Sequence, residues 1–294
     1  LVQILSNHDS SAAAPVASEP LPVSAFIICQ DEESYLANCI RSLHQCREIV
    51  IVDSGSRDNT EALVQKFQQA GWPIRFISQK WLGYAAQKQF ALEQTTEPWA
   101  LSIDADERID ADFRKLLPEL IKSPDEISGW RIRRRAYLIG YGYTPKFVAE
   151  RANLRLIRKG RGAFDLTQRV HEGIHVSTGI VKVAKQGSLL HYRPLPIDQQ
   201  ILKENKYSTL KADQIIAEGK GPRYTRLIFN PILYFWRLYF KHRLVFCGFP
   251  GFIQAATGSV YSFLTEAKVF QRHSQKTHAL NDDMDGENLP PAPL

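Results

Sequence analysis

The segment WALSIDADERI (99–109) sets Asp104, Asp106 and Glu107 directly after an apolar run that ends at Ile103. A buried strand normally gives way to a turn. Carboxylates this close repel one another unless a cation lies between them. Two chemistries account for the cluster. In one, Asp104 and Asp106 give oxygens to Mg²⁺ or Mn²⁺, which is shared with a diphosphate. In the other, the carboxylates gather at a helix N-terminus that favours negative charge, with Asp110 as its cap.

A second acidic residue in a comparable place is Asp53, which closes the run REIVIVD (47–53) ahead of SGSRDNT. An acidic residue ending the second strand commonly receives a ribose or base donor in nucleotide-binding sheets. No G-x-G-x-x-G follows the first strand, and no G-x-x-x-x-G-K-[ST] occurs, which disfavours dinucleotide folds and removes P-loop enzymes. A nucleotide site without a Gly-rich phosphate loop needs another neutraliser, and a carboxylate-held metal supplies one.

The elements that would position these residues alternate. LPVSAFIIC (21–29), REIVIVD, IRFIS (74–78) and PWALSID (98–104) read as buried strands. Helices are expected after each: one carrying Tyr35, Leu36, Cys39, Ile40 and Leu43, one capped by Asp58, and one starting at GYAAQKQFAL (83–92). The pattern predicts an α/β fold with a mainly parallel central sheet. Ligands of such sheets bind beyond the carboxyl ends of the strands, which brings Gln30–Glu32, Asp53–Ser56 and Asp104–Glu107 to one crevice.

After residue 125 the strands become crowded with arginine, in ISGWRIRRRAYLIG and ERANLRLIRKGRGAF. Strand alternation aims several of these at a single face. QRVHEG, a strand pair around GIVKVA, and GSLLHYRP follow. The last third reads as helices: one ending near Gly219, one starting with Asn230 as cap and Pro231 in the first turn, and one with Phe252, Ile253, Ala256, Val260, Phe263, Leu264 and Ala267 on one stripe. The domain organisation expected is an irregular segment 1–20, a catalytic domain 21–195 with a donor half 21–125 and an acceptor half 126–195, amphipathic helices 196–273, and a disordered acidic tail 274–294.

The chain has 294 residues, 44% hydrophobic, with a net charge of +6. That is ample for one large core and points to an anionic partner: nucleic acid, an acidic membrane face or a phosphorylated substrate. The four cysteines, Cys29, Cys39, Cys46 and Cys247, form no C-x-x-C pair and read as free thiols in a reducing compartment. No secretory signal is evident, and no stretch reaches the ~18 uninterrupted apolar residues of a membrane span.

Taken together, CQDEE (29–33), DSGSRDNT (53–60), the run GYAAQKQFAL with Lys88, and DAD (104–106) resemble, in order and spacing, the GT-A glycosyltransferases of family 2. Asp31 and Gln89 depart from the family's usual Asn at those places. RLIRKGRGAF, VHEG, LLHYRP and KENKYSTLKA further resemble the subgroup of lipopolysaccharide-core β-1,4-glucosyltransferases, so the likeness covers roughly 22–272.

The resemblance implies a GT-A fold and an inverting, metal-dependent transfer of a hexose, glucose from UDP-glucose, to a heptose of the lipopolysaccharide inner core. It implies Glu172 as the general base, with Asp165 second. Asp106 would be the principal ligand of Mg²⁺ or Mn²⁺, with His171 or His191 completing its shell. Lys88 would stabilise the departing diphosphate. Asp53 would bond the uracil, Asp104 the sugar or ribose, and Cys29, Gln30 and Glu32 would line the nucleoside. The partners implied are a UDP-sugar, a phosphorylated lipid-linked core oligosaccharide and an anionic membrane surface, with no nucleic acid; the location is the cytoplasmic face of the bacterial inner membrane, attached peripherally. Trp236, Tyr234, Tyr239 and Phe240 beside Arg237, Lys241 and Arg243 suit an interfacial helix, or else helices that only pack on the catalytic domain. Other family 2 acceptors (a polyprenyl phosphate, a capsule glycan or a protein) remain open. So does a distant alternative, a non-catalytic basic module that binds nucleic acid or membrane.

Overall fold

The computed structural model describes residues 19–148, 152–166 and 173–285, so Arg151, His171 and Glu172 lie outside the described residues. The chain divides into two compact units. One comprises Leu1–Tyr137 with Ala149–Arg193, the other Leu138–Val148 with Pro194–Leu294.

In the first unit, β1 (Leu21–Cys29), β2 (Cys46–Asp53), β3 (Ile74–Ser78) and β4 (Trp99–Ser102) run parallel in the order β3–β2–β1–β4. The strands are apolar along their whole length because both faces are covered. Val23, Ala25, Ile27 and Cys29 pack with residues of α1 (Leu36–Ser42), α2 (Thr60–Gln69) and α4 (Ala111–Leu120). The alternate residues Phe26, Val50 and Val52 pack with Ala91 and Leu92 of α3 (Tyr84–Glu93). The four strands expected from the sequence are all present.

Chain order reverses direction across the sheet between β1 and β4, the place where such sheets open a crevice. Beyond β4 the sheet turns mixed, continuing through β8 (Asn153–Arg158), β6 (Ile127–Leu138), β11 (Ile180–His191) and β5 (Glu107–Ile109). β8 is antiparallel to β4 and β6, and β11 is parallel to β6 but antiparallel to β5. β9 (Gly162–Phe164) and β10 (Ile174–Val176) form a separate ribbon.

Three local expectations are corrected. The strand pair around GIVKVA is one long strand, β11, whose register shifts between Val183 and Ser188. Gly187 lies in that interval at φ +81, where an added Cβ would strike the Phe113 backbone of α4. The cap position of α2 is Asn59, while Asp58 accepts the Thr60 N–H from one residue earlier. The helix expected to start at Asn230 and Pro231 is α6 (Tyr224–Trp236), which begins nearly two turns upstream and carries Pro231 inside. It forgoes one backbone hydrogen bond there.

The second unit holds β7 (Gly142–Tyr143) and the helices α5 (Ile197–Ala217), α6 and α7 (Gly248–Asp285). Gly219 at φ +71 closes α5, its N–H donating to the Ile216 carbonyl. α6 loosens into a π turn over Arg237–Lys241. Leu138 and Val148 are buried with Leu244, Cys247 and Ala255, which explains why Leu138–Val148 groups with the helices. α7 remains helical as far as Asp285, into the segment whose acidic composition reads as a tail.

Candidate active site

The loops that follow β1 and β2 are laced to each other. Ser56 Oγ accepts the Asp31 N–H at 2.9 Å, Thr60 Oγ1 accepts the Glu32 N–H at 2.9 Å, and Glu33 Oε2 accepts the Asn59 N–H at 2.9 Å. Asp31 stands at φ +56, a left-handed conformation that Asn and Asp share. Asp therefore serves where the family usually has Asn. Its carboxylate is engaged by the Arg57 N–H at 2.6 Å. Gln89, the other departure, accepts the Phe164 N–H at 2.9 Å and so braces β9.

Asp53 serves its own loop. Its Oδ2 accepts the Gly55 and Ser56 N–H groups at 2.8 and 2.9 Å, its Oδ1 accepts from the Ser56 hydroxyl, and the Cys29 thiol lies 3.6 Å away. Burial, with Asp53 second, pushes the Cys29 thiol far above its ordinary range, so it stays protonated.

The Asp104–Glu107 segment is a closed turn. The Glu107 N–H donates to the Asp104 carbonyl at 2.9 Å, and Glu107 Oε2 accepts the Asp104 N–H at 3.1 Å. β5 follows at once and pairs with β11, putting Glu107 opposite His191. The Tyr192 N–H reaches the Asp106 carbonyl at 2.9 Å, and His191 Nε2 comes within 3.2 Å of Asp106 Oδ2. Asp110 caps α4 by accepting the Phe113 N–H at 2.7 Å. The cap reading holds for Asp110, while Asp104 and Asp106 face the cavity.

The cations that reconcile these carboxylates come from the chain itself. Lys88 Nζ lies 3.0 Å from Asp104 Oδ1. Arg155 Nη2 sits between Asp104 Oδ2 at 3.2 Å and Glu107 Oε1 at 3.0 Å, and Arg134 approaches Glu107 at 3.9 Å. Arg193 Nη1 bridges Glu32 Oε1 and Asp106 Oδ2, both at 3.1 Å, with its guanidinium over the Tyr35 ring. Burial alone would raise the Asp104 carboxyl, but Lys88 and Arg155 hold it well below the usual carboxylate range. Asp106 is likewise lowered against its burial, chiefly by His191. Burial wins at Glu32 and Glu107, which are raised despite Arg193 and Arg155.

A cleft of about 560 Å³ opens here. Of the residues expected from the sequence, Cys29, Gln30, Glu32, Lys88, Asp104, Asp106 and His191 line it together. Asp53 adjoins it through its pairing with Cys29 but does not line it. Asp165, just past β9, does not line it either, and Glu172 is outside the described residues.

Sequence reasoning missed Arg193, Trp81 and Tyr84, which also line the cleft. Trp81 and Tyr84 are 42% and 58% exposed and meet edge to face at 4.8 Å. The fully buried Gln87 fixes their loop: its Oε1 accepts the Leu82 N–H at 3.2 Å, and its Nε2 donates to Ser54 Oγ at 3.1 Å. The signal available was the aromatic pair in KWLGY, one turn ahead of Lys88.

Two arginines of the second half brace the fold instead of the site. Arg158 donates to the Ile127 carbonyl and lies over Trp99, and Arg161 pairs with Asp125 at 2.5 Å. Among the described residues, no group of three or more His, Cys, Asp or Glu side chains converges as a metal cage. Asp106 and His191 offer one carboxylate and one imidazole, donors that Mn²⁺ takes. A partial protein shell suits an ion that also binds phosphate oxygens, so the donor set fits.

A parallel half-sheet with its acidic loops at the switch point, extended by mixed strands and helices, is the architecture of the GT-A fold class. Residues 24–183 match Glycosyl transferase family 2. The chain is 63% identical over 263 residues to the lipopolysaccharide core biosynthesis glycosyltransferase LpsC of Rhizobium meliloti (strain 1021), covering 90% of this chain and 97% of that protein. An uncharacterized glycosyltransferase of Rickettsia felis is 29% identical over 259 residues, covering 84% of this chain and 89% of its own length. The chain belongs to glycosyltransferase family 2 and is an enzyme of that class, closely related to LpsC. Membership implies metal-dependent chemistry in the donor site.

Proposed function

We propose that this enzyme moves a hexose, glucose from UDP-glucose, with inversion onto a heptose of the lipopolysaccharide inner core. The observation that carries the reading is the 63% identity to LpsC over nearly its whole length. The acidic cleft with Lys88 supports it.

In this reading Gln30 and Glu32 receive the nucleoside, with Asp53 and Cys29 shaping the wall behind it. Asp104 contacts the ribose or sugar, and Lys88 meets the diphosphate, where negative charge grows as the glycosidic bond to phosphate breaks. Asp106 and His191 would hold Mg²⁺ or Mn²⁺, which when bound would supply positive charge to the leaving diphosphate. A carboxylate on the opposite side of the sugar, Glu172 or else Asp165, takes the proton from the attacking acceptor hydroxyl. The acceptor is phosphorylated and lipid-linked, so the enzyme works peripherally at the cytoplasmic face of the bacterial inner membrane.

The test is acceptor-dependent UDP release from a panel of UDP-sugars, with truncated core oligosaccharides as acceptors and Mn²⁺ present. UDP-glucose with a heptose-terminated core should turn over, and Asp106→Ala should abolish it. Turnover only with a polyprenyl phosphate, a capsule glycan or a peptide acceptor would overturn the assignment. So would full activity of Asp106→Ala.

A further inference from the structure

The helical unit distributes its side chains in reverse. On α7 the residues turned inward are small or hydroxylated: Ala255, Thr257, Thr265, with Val269 beyond. The bulky ones, Phe249, Phe252, Ile253 and Phe263, are exposed, Phe249 by 84%. Three of the residues expected to form one apolar stripe, Phe252, Ile253 and Phe263, thus point outward. Gly251 lies against the Leu244 carbonyl of the turn that precedes α7, which an added Cβ would overlap, and Gly258 lies against the Leu238 side chain, 2.7 Å from where its Cβ would stand. The hydroxyls of Thr257, Ser259 and Thr265 bond back to the Ile253, Ala256 and Tyr261 carbonyls of their own helix. Small residues between helices, internally satisfied hydroxyls and large apolar residues outside are how helices pack when the medium beside them is lipid.

α6 likewise leaves large apolar residues outside. It has no buried residue, and Ile228, Phe229, Ile232, Leu233 and Trp236 are exposed by 53–63%. Its inward side is Phe235, with Leu238 and Tyr239 just beyond, packed on the Leu138–Val148 cluster. Phe147 and Phe246, both exposed, meet at 5.3 Å and extend the bare surface. Contiguous exposed apolar surface of this kind marks an interaction site.

Charge decides the occupant. From Gly219 to Thr265 the chain has no Asp or Glu, whereas Arg223, Arg226, Arg237, Lys241 and Arg243 are all exposed. A second copy seated face to face would set these cations against themselves. An anionic lipid surface complements them. Cations stand at both ends of α6, with Trp236 and Phe240 interleaved among them. That places α6 flat in the interface, its arginines and lysine reaching the headgroups. The helix Leu244–Gln275 is long and apolar enough to cross a membrane by length and composition. It also carries Lys268, whose Nζ bonds Asn205 Oδ1 and Thr209 Oγ1 of α5 at 2.6 and 2.8 Å, a polar contact suited to a helix held at the surface.

We infer that α6 and the first half of α7 form a monotopic membrane anchor. It embeds its aromatic face in the acyl boundary of an anionic bilayer and is held by apolar burial as well as by charge. The inference deepens the membrane-face reading proposed above, and its test does not use turnover. The full chain is floated with phosphatidylcholine vesicles, with and without phosphatidylglycerol. It should float with the anionic vesicles and remain partly bound at about 1 M salt, where exposed charge is screened. Phe246→Ser/Phe249→Ser should lower the partition coefficient by more than about tenfold at every salt concentration. Arg237→Gln/Lys241→Gln/Arg243→Gln should lose only the preference for anionic vesicles. UDP binding by calorimetry should be the same in all three proteins, which verifies folding. Absence of flotation, full release by salt, or undiminished flotation of the phenylalanine variant would each overturn the anchor. So would a dimer dispersed by the phenylalanine substitutions without any vesicle binding. Transfer to a lipid-free acceptor would survive any of those results, and its failure would leave flotation intact.

Discussion

Arg155 meets Glu107 at 3.0 Å with the Glu107 side chain fully buried, and the same guanidinium nitrogen reaches Asp104 at 3.2 Å. One cation thus fixes both ends of the turn that carries Asp106. Arg155→Met should leave buried Glu107 with Arg134 at 3.9 Å as its remaining cation, costing up to about 3–5 kcal/mol in urea unfolding. Arg155→Met/Glu107→Met should recover part of that loss, because the buried charge goes with its partner, while the Asp104 N–H loses its Glu107 acceptor. Additive losses would show that the two residues do not act as a pair.

The Asp104 carboxyl is held below its ordinary range, so it binds fewer protons folded than unfolded in acid. Its stabilisation is complete above the unfolded value of about 3.9 and is lost as pH falls through the folded value. Wild type should therefore exceed Asp104→Asn by its widest margin near about pH 5, and the margin should close below about pH 4. Glu107 is raised by burial and, in part, by the Asp104 charge, so Asp104→Asn also relieves some of that opposing effect and adds a second, opposite slope above the acid limb. Acid titration of the unfolding free energy measures the difference.

Arg193 Nη1 occupies Asp106 Oδ2 at 3.1 Å, the carboxylate assigned to the metal. Arg193→Gln removes that competing charge. Mn²⁺ binding without nucleotide, followed by electron paramagnetic resonance, should tighten by about tenfold or less, in keeping with a half-exposed ion pair. Weaker binding would mean that Arg193 orders the site rather than competing for it.

Trp81 and Tyr84, paired edge to face, stand partly exposed at the cleft on a loop held by Gln87. Ring stacking of this kind is worth about 1 kcal/mol. Trp81→Ala should raise KM for the UDP-sugar several-fold with little change in kcat, and Trp81→Phe should restore most of it. A fall in kcat at unchanged KM would place the pair elsewhere in the reaction.

Much of the first unit was legible along the chain. AFIIC and IVIV are apolar at every position because the strands are covered on both faces, and that run survives any detail of packing. The polar motifs after them were legible for the same reason, as breaks in greasy runs. The second half was harder to read. GIVKVA and GSLLH look like two strands, but they form one because Gly187 lets β11 bend against α4. Pro231 reads as a helix start, yet the apolar face of α6 begins upstream of it.

The sequence by itself determined the α/β alternation and the carboxylates and lysine that meet at the switch point, since buried strand ends fix where their next residues go. Only the tertiary structure decided what neutralises them. Arg155 comes from β8 and Arg193 from just past the end of β11, both far along the chain, and no local pattern distinguishes them from the arginines that merely brace loops. His191 reaches Asp106 solely because β5 pairs with β11. The same holds for the last helices: periodicity finds an apolar stripe, but packing alone settles whether that stripe faces a core or the outside.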